Sequence, residues 1–350
     1  MVANDINNWI SDGCDFVLFR YPQQTDVHAA RSEATVCLPT VADLRQISQG
    51  FVFAPFADGD LPIVVFNNPQ TATFKQPERK TPSASSCSTG GITDTYTAEF
   101  RTFREAVRTK QFSKLVLARA FRTSIHASAA DIFFDACVAC PNSFVYLFSS
   151  RQSGMWLGAT PEILIEGSNL QMHTVALAGT ASCSGSRLPS NDDWDSKNRN
   201  EQKIVTDYLL AQIQAFGTVT SIVGPNTVRA AHLAHIKTDI FFDINKKDLP
   251  QLIAALHPTP AVCGMPKYEA SQFIITNESA NREYYTGFLG WYAPQADTRL
   301  FVNLRCMKWI DNQNVIIMAG GGILPESELE SEWNETENKM QTLINLNSFR

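Results

Sequence analysis

The sequence predicts an α+β protein: large, mostly antiparallel sheets with helices layered on them and flanking them. Three observations lead there. Short apolar or aromatic runs broken by turn residues recur along the chain, as in FVLFRYP, GFVFAPF, SFVYLFSS and EILIEG, and read as strands. Stretches of helical periodicity are mixed among them. From Arg299 onward most strands are separated by hairpin-length connections, too short for the crossover a parallel pair needs. No GxGxxG or GxxxxGKS/T opens a helix after a strand, so no nucleotide site is indicated.

Taken in order, residues 1–66 read as mostly strands, with ATVCLP and PIVVF completing the set above. Residues 67–93 are rich in Pro, Ser, Thr and Gly and read as one long loop. A helix over 97–109 places Phe100, Phe103 and Val107 on one face. SKLVLARAF is a strand, and 131–140 is a helix ended by Pro141. SFVYLFSS, GMWLGAT and EILIEG are strands, the last two joined through Thr160 and Pro161. LQMHTVALAGTA is a strand ending at Gly179, and a polar segment then leads into a helix over 200–216. Further strands are expected at 218–223, 232–241, 285–292, 299–309 and 314–319, and further helices at 248–256, 266–275 and 330–346. No internal repeat is present at a fixed period.

The chain has 350 residues, 44% hydrophobic and 18% charged, with a formal net charge of −6. Length alone suggests about two domains. The mild acidity argues against nucleic-acid binding through a general basic surface. No apolar run is long enough to span a membrane, and MVANDINNWISDGCDF has neither the basic nor the apolar region of a secretory signal, so a cytoplasmic protein is expected. The eight cysteines are scattered, which suits reduced thiols. Cys137 and Cys140 form a C-x-x-C without a second pair, so core thiols are expected there rather than zinc.

Several polar groups stand where the apolar pattern does not call for them. In MAGGGILPESELESEWNETENKM a strand runs into Gly320, Gly321 and Gly322, which let backbone approach a ligand closely. A short acidic loop and a helix follow. Glu332, Glu335 and Lys339 share one face of that helix, either as a solvated ion-pair face or as ligands for a hard cation and an anion. Lys114 begins an apolar strand, as a snorkelling edge residue or as a desolvated base. Glu162 starts another, as an edge carboxylate or as a general acid whose pKa burial has raised. Glu201 borders the apolar face of its helix, complementing the helix dipole or reaching inward as a ligand. Of His232 and His235, three apart, one is expected in the core and one at a site. HPTPAVCGMPK, over 257–267, is a rigid loop of the kind that shapes pockets. Arg305 lies within the apolar run FVNLRCMKW, where a guanidinium requires an anionic partner. Together these parts suit a magnesium-dependent reaction on a small carboxylated substrate.

The order of motifs resembles the chorismate-utilising enzymes: KLVLAR, GATPEILI, LAGTA, KNRNEQ, HPTPAVCG, REYYTGFLGW, VNLRC, AGGGI and EWNETENK. That family includes isochorismate, salicylate, anthranilate and aminodeoxychorismate synthases. The resemblance runs from about Tyr96 to the C-terminus and implies one chorismate-binding domain over 1–350, with 1–93 less typical and 94–350 carrying every site motif. Lys114 stands where the family's water-activating members carry their base. Ala261, in HPTPA, resembles the isochorismate-forming members rather than the salicylate-forming ones. The resemblance implies that Lys114 activates water for attack at C2 of chorismate and that Glu162 protonates the departing C4 hydroxyl. Mg²⁺ would be held by Glu201 and Glu335 with Glu332 close by. Gly179, Thr180 and Lys339 would hold the ring carboxylate. Arg305, Tyr285 and the backbone at Gly320 would hold the enolpyruvyl carboxylate, and His232 would lie near the ring. Gln202 stands where the family usually has histidine, at a position that is not a metal ligand. With water as the nucleophile no glutaminase subunit is expected, a monomer is expected though nothing in the sequence sets the oligomeric state, and salicylate formation is the alternative activity.

Overall fold

The computed structural model describes residues 3–59, 61–81, 89–182, 188–230 and 233–346. In chain order the elements are α1 (Ala3–Ser11), β1 (Asp15–Arg20), β2 (Asp26–Ser32), β3 (Thr35–Leu38), β4 (Gly50–Ala54), β5 (Ile63–Asn67), β6 (Gln70–Lys75), α2 (Asp94–Arg108), β7 (Lys114–Ser124), α3 (Ala129–Ala139), β8 (Phe144–Ser150), β9 (Gly154–Thr160), β10 (Ile163–Ser168), β11 (Gln171–Ser182), α4 (Ser196–Phe216), β12 (Gly217–Ala230), β13 (Leu233–Ile244), α5 (Leu249–Leu256), β14 (Gly264–Met265), α6 (Lys267–Asn277), β15 (Phe288–Tyr292), β16 (Asp297–Val302), β17 (Cys306–Trp309), β18 (Asn314–Ile323) and α7 (Leu329–Ile344). None of the described helices is long and apolar enough to cross a membrane.

The strands form two nine-stranded sheets. The first runs β14-β7-β18-β17-β9-β8-β1-β2-β6 and the second β12-β13-β11-β10-β16-β15-β4-β5-β3. Every pairing among them is antiparallel, as the short connections require. The apolar runs are continuous because most central strands are buried on both faces. In β8, Phe144, Tyr146 and Phe148 join the core between the sheets, while Val145 and Leu147 pack beneath α3 and α7. The outer face of the second sheet is covered by Val205, Leu209 and Ile213 of α4 and Leu252, Ile253 and Leu256 of α5. The result is helices, sheet, sheet, helices.

The structure departs from the sequence reading at four places that matter. The stretch 67–93 is not all loop, because β6 lies within it and pairs with β2. The strand at LAGTA does not stop at Gly179: β11 continues to Ser182 through a register irregularity between Ala178 and Ala181, with Gly179 at φ +72°. The expected strand over 299–309 is two strands in different sheets, β16 in the second and β17 in the first. Arg305 is therefore on the crossing between sheets, at φ +47°, and not inside a strand. The strand does not end before the three glycines. They lie within β18, paired with Ala118, Leu117 and Val116 of β7.

Cys137, on α3, and Cys140, at its C-terminal cap, are buried, and burial pushes their thiols up to about 12 and about 11. They are core residues.

Candidate active site

Side chains alternate across a strand, so the glycine run of β18 clears space on both of its faces. A Cβ at Gly322 would stand 2.4 Å from Glu201 Oε1 and 3.1 Å from Lys114 Cε. A Cβ at Gly321 would stand 3.2 Å from Glu332 Oε2 and 3.6 Å from Glu335 Oε1. A Cβ at Gly320 would meet the Tyr285 hydroxyl at 3.2 Å. The glycines make room for charged groups that reach the strand from α4, α7 and β7.

Those groups are arranged as lysine–glutamate pairs. Lys114, fully buried at the start of β7, puts Nζ 2.8 Å from Glu201 Oε1 on α4. Lys197, one turn earlier on α4, puts Nζ 2.5 Å from Glu332 Oε1. Lys339 lies 2.6 Å from Glu335 Oε1 and donates to the Gly320 carbonyl at 2.9 Å. The solvated helix face is thereby excluded for Glu332, which is fully buried. Lys197 was not singled out from the sequence, although its place four residues before Glu201 put it on the same helix face.

One cavity gathers most of the expected residues. Glu162, Gly179, Thr180, Glu201, Ala261, Tyr285, Arg305, Gly320 and Lys339 line it together with His235. Lys114 stands behind Glu201, and Glu332 and Glu335 flank Gly321. His232 lies outside the described residues. The walls come from both sheets: Val116 and Gly320 from the first, Leu177 to Thr180 and His235 from the second, with Glu162 on the crossing from β9 to β10 and Arg305 on that from β16 to β17. Asn198 accepts from the Thr180 amide at 3.0 Å and so fixes the Gly179–Thr180 bulge against the start of α4.

The electrostatics follow from burial. Burial raises the Glu162 carboxyl to about 8, against the pull of Lys114, Lys339 and Arg305. It is therefore protonated at neutral pH and can donate. Burial also drives Glu201 up, but Lys114 and Lys197 more than offset it, so its carboxyl ends below the usual range. Glu332 is raised to about 7 by burial and by the neighbouring Glu335. Burial lowers Arg305. Among the described residues no carboxylate lies within 4.0 Å of its guanidinium, so its charge is left for something that enters the cavity.

The acidic groups have the chemistry of ligands for a hard dication. All are oxygen donors, and Glu332 and Glu335 crowd each other enough to raise Glu332, a repulsion that a cation between them would relieve. Glu332 Oε2 is buried without a well-formed hydrogen bond. The Ser327 hydroxyl, which is near it, instead donates to the Gly322 carbonyl at 3.4 Å. Each carboxylate is held by a lysine, and no three His, Cys, Asp or Glu among the described residues are already gathered about one metal position. The donor chemistry fits Mg²⁺, with the lysines as counter-ions in its absence.

Comparison with known proteins identifies the family. Residues 19–346 match the family model described as chorismate binding enzyme. The isochorismate synthase EntC of Escherichia coli (strain K12) is 29% identical over 251 residues, 68% of this chain and 63% of that protein. The match thus covers less than two thirds of that relative's length. The structure of MenF, the menaquinone-specific isochorismate synthase from Escherichia coli, superposes with a TM-score of 0.76 at 21% identity, covering 95% of this chain and 88% of that one. Anthranilate synthase component I from Streptococcus pneumoniae TIGR4 superposes at 0.71 and 16% identity, covering 94% and 92%. At those identities the structural likeness is one of fold. The family match spans nearly the whole chain, both sheets and every element that lines the cavity, and the protein belongs to the chorismate-binding enzyme family.

Proposed function

We propose that the protein is an isochorismate synthase, which converts chorismate to isochorismate by attack of water at C2 with loss of the C4 hydroxyl. The observation that carries this reading is a buried Glu162, its carboxyl raised to about 8 by burial, within the field of a buried Lys114, at a cavity that also holds the uncompensated charge of Arg305. An acid and a base set at one ring suit a displacement with allylic shift. The similarity to isochorismate synthases supports the choice within the family.

In this reading Lys114, acting as the free amine, takes a proton from water as the water oxygen bonds to C2. The ring double bonds shift, the C4–O bond breaks, and Glu162 gives its proton to the departing hydroxyl. Arg305, the Tyr285 hydroxyl and the Gly320 backbone hold the enolpyruvyl carboxylate. Gly179, Thr180 and Lys339 hold the ring carboxylate, with Ala261 in the wall of the loop and His232 near the ring. Glu201 and Glu335, with Glu332 close by, would hold Mg²⁺, which would offset the ring carboxylate and draw electron density towards C1. The cavity encloses about 60 Å³, so a ring-sized ligand must part the side chains that line it. Because water is the nucleophile, no ammonia-supplying subunit is required.

The test is product analysis after incubation with chorismate and Mg²⁺. Isochorismate as the main product is expected. Salicylate as the main product, ammonia-dependent amination, or binding without turnover would each overturn the assignment.

A further inference from the structure

His235 lines the same cavity, is buried, and has no part in the steps above. Its Nδ1 lies 2.9 Å from the Gly179 carbonyl oxygen, which can only accept, so Nδ1 carries the ring proton. That leaves Nε2 as an acceptor, and Arg305 Nη2 lies 3.3 Å from it as donor. Burial, followed by the charges of Arg305 and Lys339, holds the ring's pKa down to about 3, in keeping with a neutral imidazole. On its other side, Arg305 Nη1 donates to Thr342 Oγ1 at 3.0 Å. Arg305 sits on the crossing between the sheets at φ +47°, with its own carbonyl accepting from the Ala159 amide of β9 at 3.0 Å. Its guanidinium is thus held from β13 and from α7 by two neutral acceptors. Neither cancels its charge, whereas a carboxylate in either place would.

We propose that His235 is a positioning residue: it ties the guanidinium of Arg305 to the Gly179 bulge, so that the remaining N–H groups meet a substrate carboxylate in one orientation at full charge. The inference rests on the reading of Arg305 as the carboxylate anchor. Gly179, Thr180 and Arg305 are thereby one unit, since the carbonyl that orients His235 belongs to the bulge whose next amide is held by Asn198.

The experiment is a kinetic cycle on the full chain with chorismate and Mg²⁺, using His235→Ala, His235→Gln, Arg305→Ala and the double variant His235→Ala/Arg305→Ala. His235→Ala is expected to raise KM about tenfold with kcat within a factor of about three. His235→Gln, whose amide can donate to Gly179 and accept from Arg305, is expected to recover most of that loss. In the Arg305→Ala background, His235→Ala should raise KM no further. A KM within twofold of wild type in His235→Ala, or an undiminished effect in the double variant, would overturn the proposal, the latter by showing a purely structural role. A second readout separates this from failure of the functional reading. In ¹⁵N histidine spectra His235 should be protonated at Nδ1, and its Nε2 resonance should move in Arg305→Ala. A ring protonated at Nε2 contradicts the inference whatever the substrate, while a wild type that does not turn over chorismate, with the expected tautomer present, refutes the function alone.

Discussion

The space between the two sheets is filled in opposite ways at its two ends. At one end Phe51, Phe53, Phe66, Phe144, Phe148, Trp156 and Phe301 interlock, with Phe144 stacked on Phe301 at 4.2 Å and Phe53 on Tyr284 at 4.5 Å. At the other, Gly320, Gly322, Ala178 and Gly179 replace bulk with backbone, and Lys114, Glu162, Glu201 and Arg305 occupy the room. The strands are the same kind of antiparallel ladder at both ends. What differs is the side-chain volume on their inner faces. The aromatic end holds the sheets at a fixed spacing, and that spacing, with nothing large to fill it, makes a buried polar hollow at the glycine end. A buried charge is tolerable there because each carboxylate of the three pairs has its lysine, and stripping one partner leaves the other exposed to the cost of burial.

This contrast can be broken from either side. The largest effects belong to the polar end. Lys114→Ala and Glu162→Gln should each lower kcat by about 10²–10⁴-fold, the usual worth of general acid–base catalysis, with chorismate binding largely retained. An unchanged kcat in either variant removes that residue from the mechanism. At the aromatic end, Phe53→Ala should cost about 3–5 kcal/mol of stability in denaturant unfolding. Its KM should stay near wild type while the protein is folded, and a loss of activity without a loss of stability would show that the two ends are not separable.

Smaller shifts should sharpen the picture. Glu335→Ala should raise the Mg²⁺ concentration for half-maximal activity by about tenfold, equivalent to about 1.4 kcal/mol; an unchanged metal dependence takes Glu335 out of the ligand set. The pH dependence of Glu162 has a defined sign. Its native pKa, about 8, lies above the ordinary 4.5, so the native state keeps a proton that the unfolded chain gives up. The stability it contributes is complete below the ordinary value and is lost as pH rises through about 8. Activity that needs the acid falls over the upper part of the same window. Glu162→Gln should remove that stability loss, making the inactive variant more stable than wild type at pH 9. A variant less stable than wild type at that pH would mean that burial does not hold the native Glu162 carboxyl above its ordinary range.

The aromatic end was easy to read from the sequence because strands buried on both faces leave continuous apolar runs such as FVYLFS. The polar end was legible only in part. Lys114, Glu162 and Glu201 stood out as charges at the borders of apolar segments, and the structure brings all three together. Gly320, Gly321 and Gly322 read as the end of the strand because glycine lowers strand propensity, yet the ladder continues through them and the missing side chains are what the neighbouring charges need. Arg305 read as a strand interior because nothing local marks a change of sheet: FVNLRCMKW is apolar on both sides of the crossing. The strand β6 was missed because its residues are mostly exposed at a sheet edge, so QTATFK carries no apolar signal. His235 was seen only as one of two histidines. Its role depends on a tautomer set by the Gly179 carbonyl, a contact 56 residues away in sequence.

The most direct measurement of the central claim is the origin of the new hydroxyl. Chorismate should be turned over in H₂¹⁸O with Mg²⁺ and the product examined by mass spectrometry. The account expects isochorismate carrying one solvent oxygen, at C2, because Lys114 activates water and Glu162 releases the C4 hydroxyl. Isochorismate without solvent oxygen would mean migration of the original hydroxyl and would contradict these roles for the buried lysine and glutamate.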